Sequence, residues 1–212
     1  SQMFEFTFKM FGLGSATLPA KGMGEIPKQL AAQLPDGALA LNAPVQAVEP
    51  TGVELENGER VPASAVVLAT NGTAAHALLP GANLPEPKWR TVTNLYFAAP
   101  QSPVREPIIC LNGEGKGMVN NVCALSDAAP DYSPDGRALM SVSLLGLPED
   151  DALPQRVKDE LRNWFGPEVE GWEHLRTDRI PKALPEQLPN SSSDKAYQEH
   201  AGVYICGDHC LS

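Results

Sequence analysis

A strand running into Gly-x-Gly-x-x-Gly and then a helix is missing from these 212 residues. With it is missing the usual cradle for a dinucleotide pyrophosphate, which rests on helix N-terminal amides. No stretch approaches the ~18 apolar residues of a membrane span, so stable insertion is not expected. No basic segment followed by an apolar core marks a signal peptide at the start. Positive charge is scarce: 16 basic against 26 acidic residues leave a net charge of −10. That balance excludes nucleic acid and anionic lipid as partners, since both demand basic patches. Four cysteines, Cys110, Cys123, Cys206 and Cys210, do not make a disulfide framework. They read as thiols in a reducing compartment, with the cytoplasm as the default location. His200, Cys206, His209 and Cys210 lie close together, but their spacing matches no common ligand pair, and no metal is expected.

What is present is an ordinary apolar fraction of 42% with 20 prolines and 18 glycines spread between apolar runs. The opening Met3 to Phe11 fits a strand by alternation and a helix by its Phe4, Phe8 and Phe11 stripe, and the helix is preferred. A loop, Leu18 to Gly24, leads to a helix from Glu25 to Leu34 with Ile26, Leu30 and Leu34 on one side. From Ala40 to Thr70 the pattern is a β-meander. Leu41 to Val48 and Gly52 to Leu55 read as strands, and Asn57-Gly58 as a two-residue type I′ hairpin returning through Glu59 to Val61. Ala65 to Ala69 is wholly apolar and is expected in the middle of a sheet, covered on both faces.

Beyond a Pro- and Gly-rich crossing at Leu78 to Lys88 the style changes. Thr91 to Ala98, Pro107 to Leu111, Met118 to Leu125, Ala138 to Leu145 and Trp172 to Ile180 read as strands. Pro154 to Phe165 is the clearest helix, with Pro154 in its first turn and Gly166 at its end. A mixed or antiparallel sheet with a covering helix makes an α+β domain. Ala183 to Lys195 is a connector, and Val203 to Cys206 is a buried strand ending at Gly207-Asp208. The fold class is therefore α+β. One domain is left near residue 80 and rejoined near residue 200.

Three separated pieces carry a resemblance. They are Pro19-Ala20-Lys21-Gly22-Met23-Gly24 before a helix, the meander from Pro44 to Thr70, and Tyr204-Ile205-Cys206-Gly207-Asp208 at the end. In this order the chain resembles the flavin-containing amine oxidase superfamily, nearest the branch of phytoene desaturase and protoporphyrinogen-oxidase-like proteins. The resemblance implies FAD as cofactor. It matches Val45 to the position whose main chain meets the adenine, and Ala69 and Thr70 to a strand end beside the dinucleotide. It matches Gly207 and Asp208 to the ribityl and phosphate contact, and Gly22 and Met23 to a loop on the way to flavin and substrate.

The resemblance further implies a division of the chain. Residues 1–82 form part of an FAD-binding domain, 83–182 a substrate-binding domain whose sheet roofs the flavin, 183–199 a connector, and 200–212 a strand returning to the first domain. The phosphate loop and the helix after Asp208 are lacking, so a central fragment is implied, inactive and with little FAD affinity by itself. A lysine often stands near the start of the substrate sheet in strict amine oxidases. Thr91 to Phe97 holds none, and Asn94 stands near that place. This favours dehydrogenation or desaturation of a small apolar substrate over an amine-type one, with no catalytic acid or base identifiable. A stand-alone α+β domain binding an apolar ligand or a protein stays open as the alternative, as does a flavin-fold scaffold without catalysis.

Overall fold

The computed structural model describes residues 2–14, 17–82, 84, 86–186 and 198–210. Helices α1 (Gln2–Leu13) and α2 (Glu25–Ala31) open the chain, followed by β1 (Val45–Glu49), β2 (Gly52–Leu55), β3 (Arg60–Pro62), β4 (Val66–Leu68) and α3 (Gly72–Leu78). Then come β5 (Trp89–Ala99), β6 (Ile109–Leu111), β7 (Val119–Ala124), the short α4 (Leu125–Ala128) and β8 (Ala138–Leu145). α5 (Leu153–Phe165), β9 (Glu173–Pro185), β10 (Gln198–His200) and β11 (Val203–Ile205) complete the order. Two compact units result: Ser1–Leu34 with Val92–Arg179, and Pro35–Thr91 with Ile180–Ser212. The serine-rich middle of the expected connector, 190–193, lies outside the described residues.

The first unit is built on a five-stranded sheet in the order β6-β7-β8-β5-β9. β8 alternates buried and half-buried side chains along most of its length, the pattern of a strand with one face on a core. Met140, Val142 and Leu144 of β8, Leu95 and Phe97 of β5, and Val122 and Ala124 of β7 meet Leu153, Val157 and Leu161 of α5. Those three helix residues lie four apart and so share one stripe. Gly166 closes α5 at φ 87°, a conformation that favours glycine. Half-buried Glu160 reaches back from the helix to the start of β7, where it accepts the main-chain N–H groups of Met118 at 2.8 Å and Val119 at 3.1 Å. Gly117 precedes them at φ 81°, and a Cβ there would run into the Glu160 carboxyl group. The glycine-rich turn from 113 to 117 is held by Asn112, whose side-chain N–H groups donate to the carbonyls of Lys116 and Val119.

The opening segment is helical as the phenylalanine stripe suggests. α2 stops at Ala31, short of the expected Leu34, and its apolar stripe is uncovered: Ile26, Leu30 and Leu34 are all exposed. Helical periodicity marks a face that can be buried; whether anything buries it is a tertiary matter.

The second unit holds two three-stranded sheets, β1-β2-β3 and β10-β11-β4. The meander is antiparallel throughout. Its β2–β3 turn differs from the type I′ expectation, because only Gly58 has positive φ, at 83°. Gly58 N–H donates to Leu55 C=O and Leu55 N–H to Glu59 C=O, the pattern of a type I turn closed by a left-handed glycine. Asn57 serves instead through its side chain, whose oxygen accepts from Glu59 N–H at 2.9 Å.

β4 also departs from expectation. Among the described residues it is an edge strand of its sheet, paired only with β11, and Val67 is 59% exposed while Val66 and Leu68 are buried. A three-residue strand of three aliphatics carries no alternation that could have revealed this. The core here is Val66, Leu68, Ala75, Val203, Ile205 and Cys210, with Val48 and Val53 of the meander against it. Trp89 donates its indole N–H to Thr73, and Lys182 lies 6.0 Å from its ring centroid.

Candidate functional site

Four of the seven residues singled out in the sequence meet where β4 and β11 end. The two strands are parallel, with Val203, Tyr204 and Ile205 opposite Val66, Val67 and Leu68. The ladder continues one step, Cys206 N–H donating to Leu68 C=O at 3.0 Å. Ala69-Thr70 and Gly207-Asp208 therefore leave the sheet side by side from its carboxyl edge. Ligands of open α/β sheets bind at such an edge, because side chains and helix ends converge there.

The chain turns at both strand ends in a defined way. After Thr70, Asn71 caps α3, its side-chain oxygen accepting from Ala74 N–H at 3.0 Å. After Ile205, Gly207 has φ 154° and Cys210 N–H donates back to Gly207 C=O at 3.0 Å. Between the two ends stands the His209 ring. A Cβ on Gly72 would lie 2.9 Å from His209 Cγ, and one on Gly207 would lie 2.8 Å from His209 Cε1 and Nδ1. One imidazole thus crowds both glycines, with Pro87 Cγ, at 2.8 Å from such a Cβ, crowding Gly72 as well. Both ring nitrogens are shielded from water and lack a hydrogen-bond partner among the described residues. The nearest anion, Asp208 Oδ1, is 3.7 Å from Nδ1, beyond hydrogen-bonding distance.

Asp208 itself is 58% exposed at its side chain, so its oxygens can accept from an incoming ligand. Cys210 beneath it is buried, and its thiol is pushed up first by that burial and then by Cys206 and Asp208; it is a neutral thiol at pH 7. Cys206, expected as a buried small apolar side chain, is half-buried.

The other three residues lie elsewhere. Val45 opens β1, half-buried, in the same unit but another sheet. Gly22 (φ 96°) and exposed Met23 belong to the first unit, in the loop before α2. The sequence reading missed Asn71, Gly72 and the wedge role of His209. A histidine directly after Gly-Asp was visible, but its neighbours at Gly72 lie 137 positions upstream. No group of three or more His, Cys, Asp or Glu side chains capable of holding a metal ion occurs among the described residues. No helix of the described residues is long and apolar enough to cross a membrane.

The family model described as flavin containing amine oxidoreductase matches residues 2–212. Similar solved structures include an oxidoreductase from Methanosarcina mazei, 16% identical with TM-score 0.58, covering 79% of this chain and 43% of that one. A reduced UDP-galactopyranose mutase is 14% identical with TM-score 0.63, covering 79% and 41%. A protein assigned as a protoporphyrinogen oxidase from Exiguobacterium sp. 255-15 is 19% identical with TM-score 0.61, covering 78% and 40%. At such identities the likeness is one of fold. The chain spans about two fifths of the length of these structures. No curated protein matches it.

Proposed function

Because the chain belongs to the flavin containing amine oxidoreductase family, we propose that it supplies the meander, one parallel strand pair and the substrate-binding sheet of an FAD-dependent oxidoreductase. The observation that carries this reading is the pairing of β4 with β11. It sets Ala69-Thr70 beside Gly207-Asp208 at one sheet edge.

The residues fit the cofactor. Gly207 offers main chain without a side chain of its own, and Asp208 an exposed carboxylate able to accept from ribityl hydroxyls. Ala69 and Thr70 would flank the dinucleotide, and the main chain of Val45 would pair with the adenine. Bound FAD supplies the hydride acceptor. The chain's own residues would bind and orient the substrate and exclude water from it. Residues 83–182 would form the substrate domain, with Gly22 and Met23 on the approach, and residues 1–82 and 200–212 would belong to the FAD domain, a division that differs from the compact units in residues 1–34, which group with the large sheet. The reaction proposed is dehydrogenation or desaturation of an apolar substrate, in the cytoplasm. By itself this stretch would have no turnover and little FAD affinity. Two facts support that: no phosphate loop is encoded in it, and it spans only 40–43% of the solved structures named above.

The test is an absorbance spectrum of the chain extended at both ends and purified without added cofactor. Visible flavin bands, released on denaturation, are expected. A protein that stays colourless after FAD is added would overturn the reading and leave an apolar-ligand binding domain in its place.

A further inference from the structure

Three Asn-Gly pairs stand in the sequence: Asn57-Gly58, Asn71-Gly72 and Asn112-Gly113. Asparagine followed by glycine is chemically labile, because no side chain on the glycine keeps its main-chain nitrogen from closing on the asparagine Cγ. Closure makes three demands. The asparagine must turn about its Cα–C bond, the glycine nitrogen must be free to approach, and the amide nitrogen must be free to leave. The fold treats the three pairs differently.

Asn71 holds the start of α3. Its Oδ1 accepts from Ala74 N–H at 3.0 Å and its main-chain carbonyl from Ala75 N–H at 3.0 Å. Gly72 is buried, with Pro87 Cγ 2.8 Å and His209 Cγ 2.9 Å from the place of a Cβ. Turning Asn71 toward closure undoes both the helix start and this packing. Asn112 is tied down by its side chain. Its Nδ2 donates to the carbonyls of Lys116 at 2.7 Å and Val119 at 2.8 Å. Its Oδ1 accepts from the N–H groups of Glu114 and Gly115, each at 3.2 Å. The nitrogen that must leave is therefore held twice.

Asn57 has neither protection. It is exposed at the tip of the β2–β3 turn, where its Oδ1 accepts from Glu59 N–H at 2.9 Å. Its Nδ2 has no partner among the described residues. Gly58 is exposed, with open space where a Cβ would stand, and a single bond to Leu55 C=O at 2.9 Å holds its N–H. Closure here breaks two exposed hydrogen bonds and no packing.

We infer that Asn57 is a site of spontaneous deamidation in the folded chain, while the fold protects Asn71 and Asn112. The Gly58 nitrogen gives its proton to hydroxide and attacks Asn57 Cγ. The N–Cγ bond forms, the Cγ–Nδ2 bond breaks, and Nδ2 leaves as ammonia with a proton from water. Water then opens the succinimide ring, at Cγ to give aspartate or at the main-chain carbonyl to give isoaspartate. The product carries one more negative charge, between Glu56 and Glu59. In isoaspartate an extra main-chain carbon also lengthens a turn that Gly58 and Glu59 close on Leu55.

The test is a time course of the full chain in mildly alkaline buffer, folded and in urea. Samples are digested at mildly acidic pH, which halts closure, and the three Asn-Gly peptides are resolved into asparagine, aspartate and isoaspartate forms. In urea all three should convert within about three-fold of one another, since the dipeptide is the same. In the folded chain Asn57 should convert within about ten-fold of its urea rate, the two exposed bonds being individually weak. Asn71 and Asn112 should convert at least about a hundred-fold more slowly than in urea, because they wait for packed structure to open. A lead of Asn57 over either of them below about ten-fold in the folded chain would overturn the inference. An equal lead in urea would overturn it too, because the order would then owe nothing to the fold.

Discussion

Gly207→Ala isolates the geometry at the end of β11. At φ 154° a residue with a Cβ is in a region that essentially only glycine occupies, at a cost of about 1–3 kcal/mol. The new methyl group would also lie 2.8 Å from Cε1 and Nδ1 of His209, where ordinary contact begins at 3.4 Å. Displacing a packed ring costs about 1–3 kcal/mol more. The single variant should therefore lose roughly 2–6 kcal/mol, read as a fall in the urea midpoint at unchanged slope. In Gly207→Ala/His209→Ala the ring is gone, and only the backbone part should remain beside the cost of His209→Ala. The cycle should show a coupling of about 1–3 kcal/mol in favour of the double variant. Additivity within about 0.5 kcal/mol would refute the argument that the glycine is there to admit the imidazole.

Two further perturbations address the sheet unit. Glu160→Ala strips two main-chain N–H groups of a charged acceptor and should cost about 2–3 kcal/mol. Glu160→Gln, which keeps one neutral acceptor, should cost about half that by the same urea assay, and a loss in the alanine variant below about 0.5 kcal/mol would show that water replaces the carboxylate. Asp135 is held below the usual carboxylate range, chiefly by side-chain and main-chain hydrogen bonds from Arg137, and Asp150 likewise by Arg156 and Ala152 N–H. A depressed folded value gives stability present above the unfolded pKa of about 3.9 and lost as pH falls through the folded value. The urea midpoint should drop between about pH 5 and pH 2, and less steeply in Arg137→Gln and Arg156→Gln; identical acid limbs in both variants would refute the assignment.

What the sequence reveals here depends on whether a segment's neighbours are near in the chain. β8 was legible to the residue, because Ala138 to Leu145 alternates and each buried member lands on the same core. α5 was legible within one residue, because the Pro154 start, the Val157–Leu161 spacing and the Gly166 stop are all local signals. Asn57-Gly58 marked a hairpin correctly and its turn type wrongly, since a left-handed glycine serves both type I′ and type I with a bulge. β4 was misplaced because an all-aliphatic triplet says nothing about the number of covered faces.

The site shows the same division. Gly207-Asp208 and Ala69-Thr70 could each be picked out locally, but only the parallel register of β11 on β4 sets them side by side. The polar side chains of the large sheet lay further from reach. Counting by twos from Val119 puts Asn121 on the core side with it, and Val122 outside. The single extra residue at the bulge between Val119 and Asn121 inverts that parity, and an inversion of parity leaves no mark in composition or periodicity. Asn94 could be noticed as a polar residue where the resemblance looks for a lysine. That it is nearly buried and bonded to Ser141 and Ser143 follows only once β5 is paired with β8.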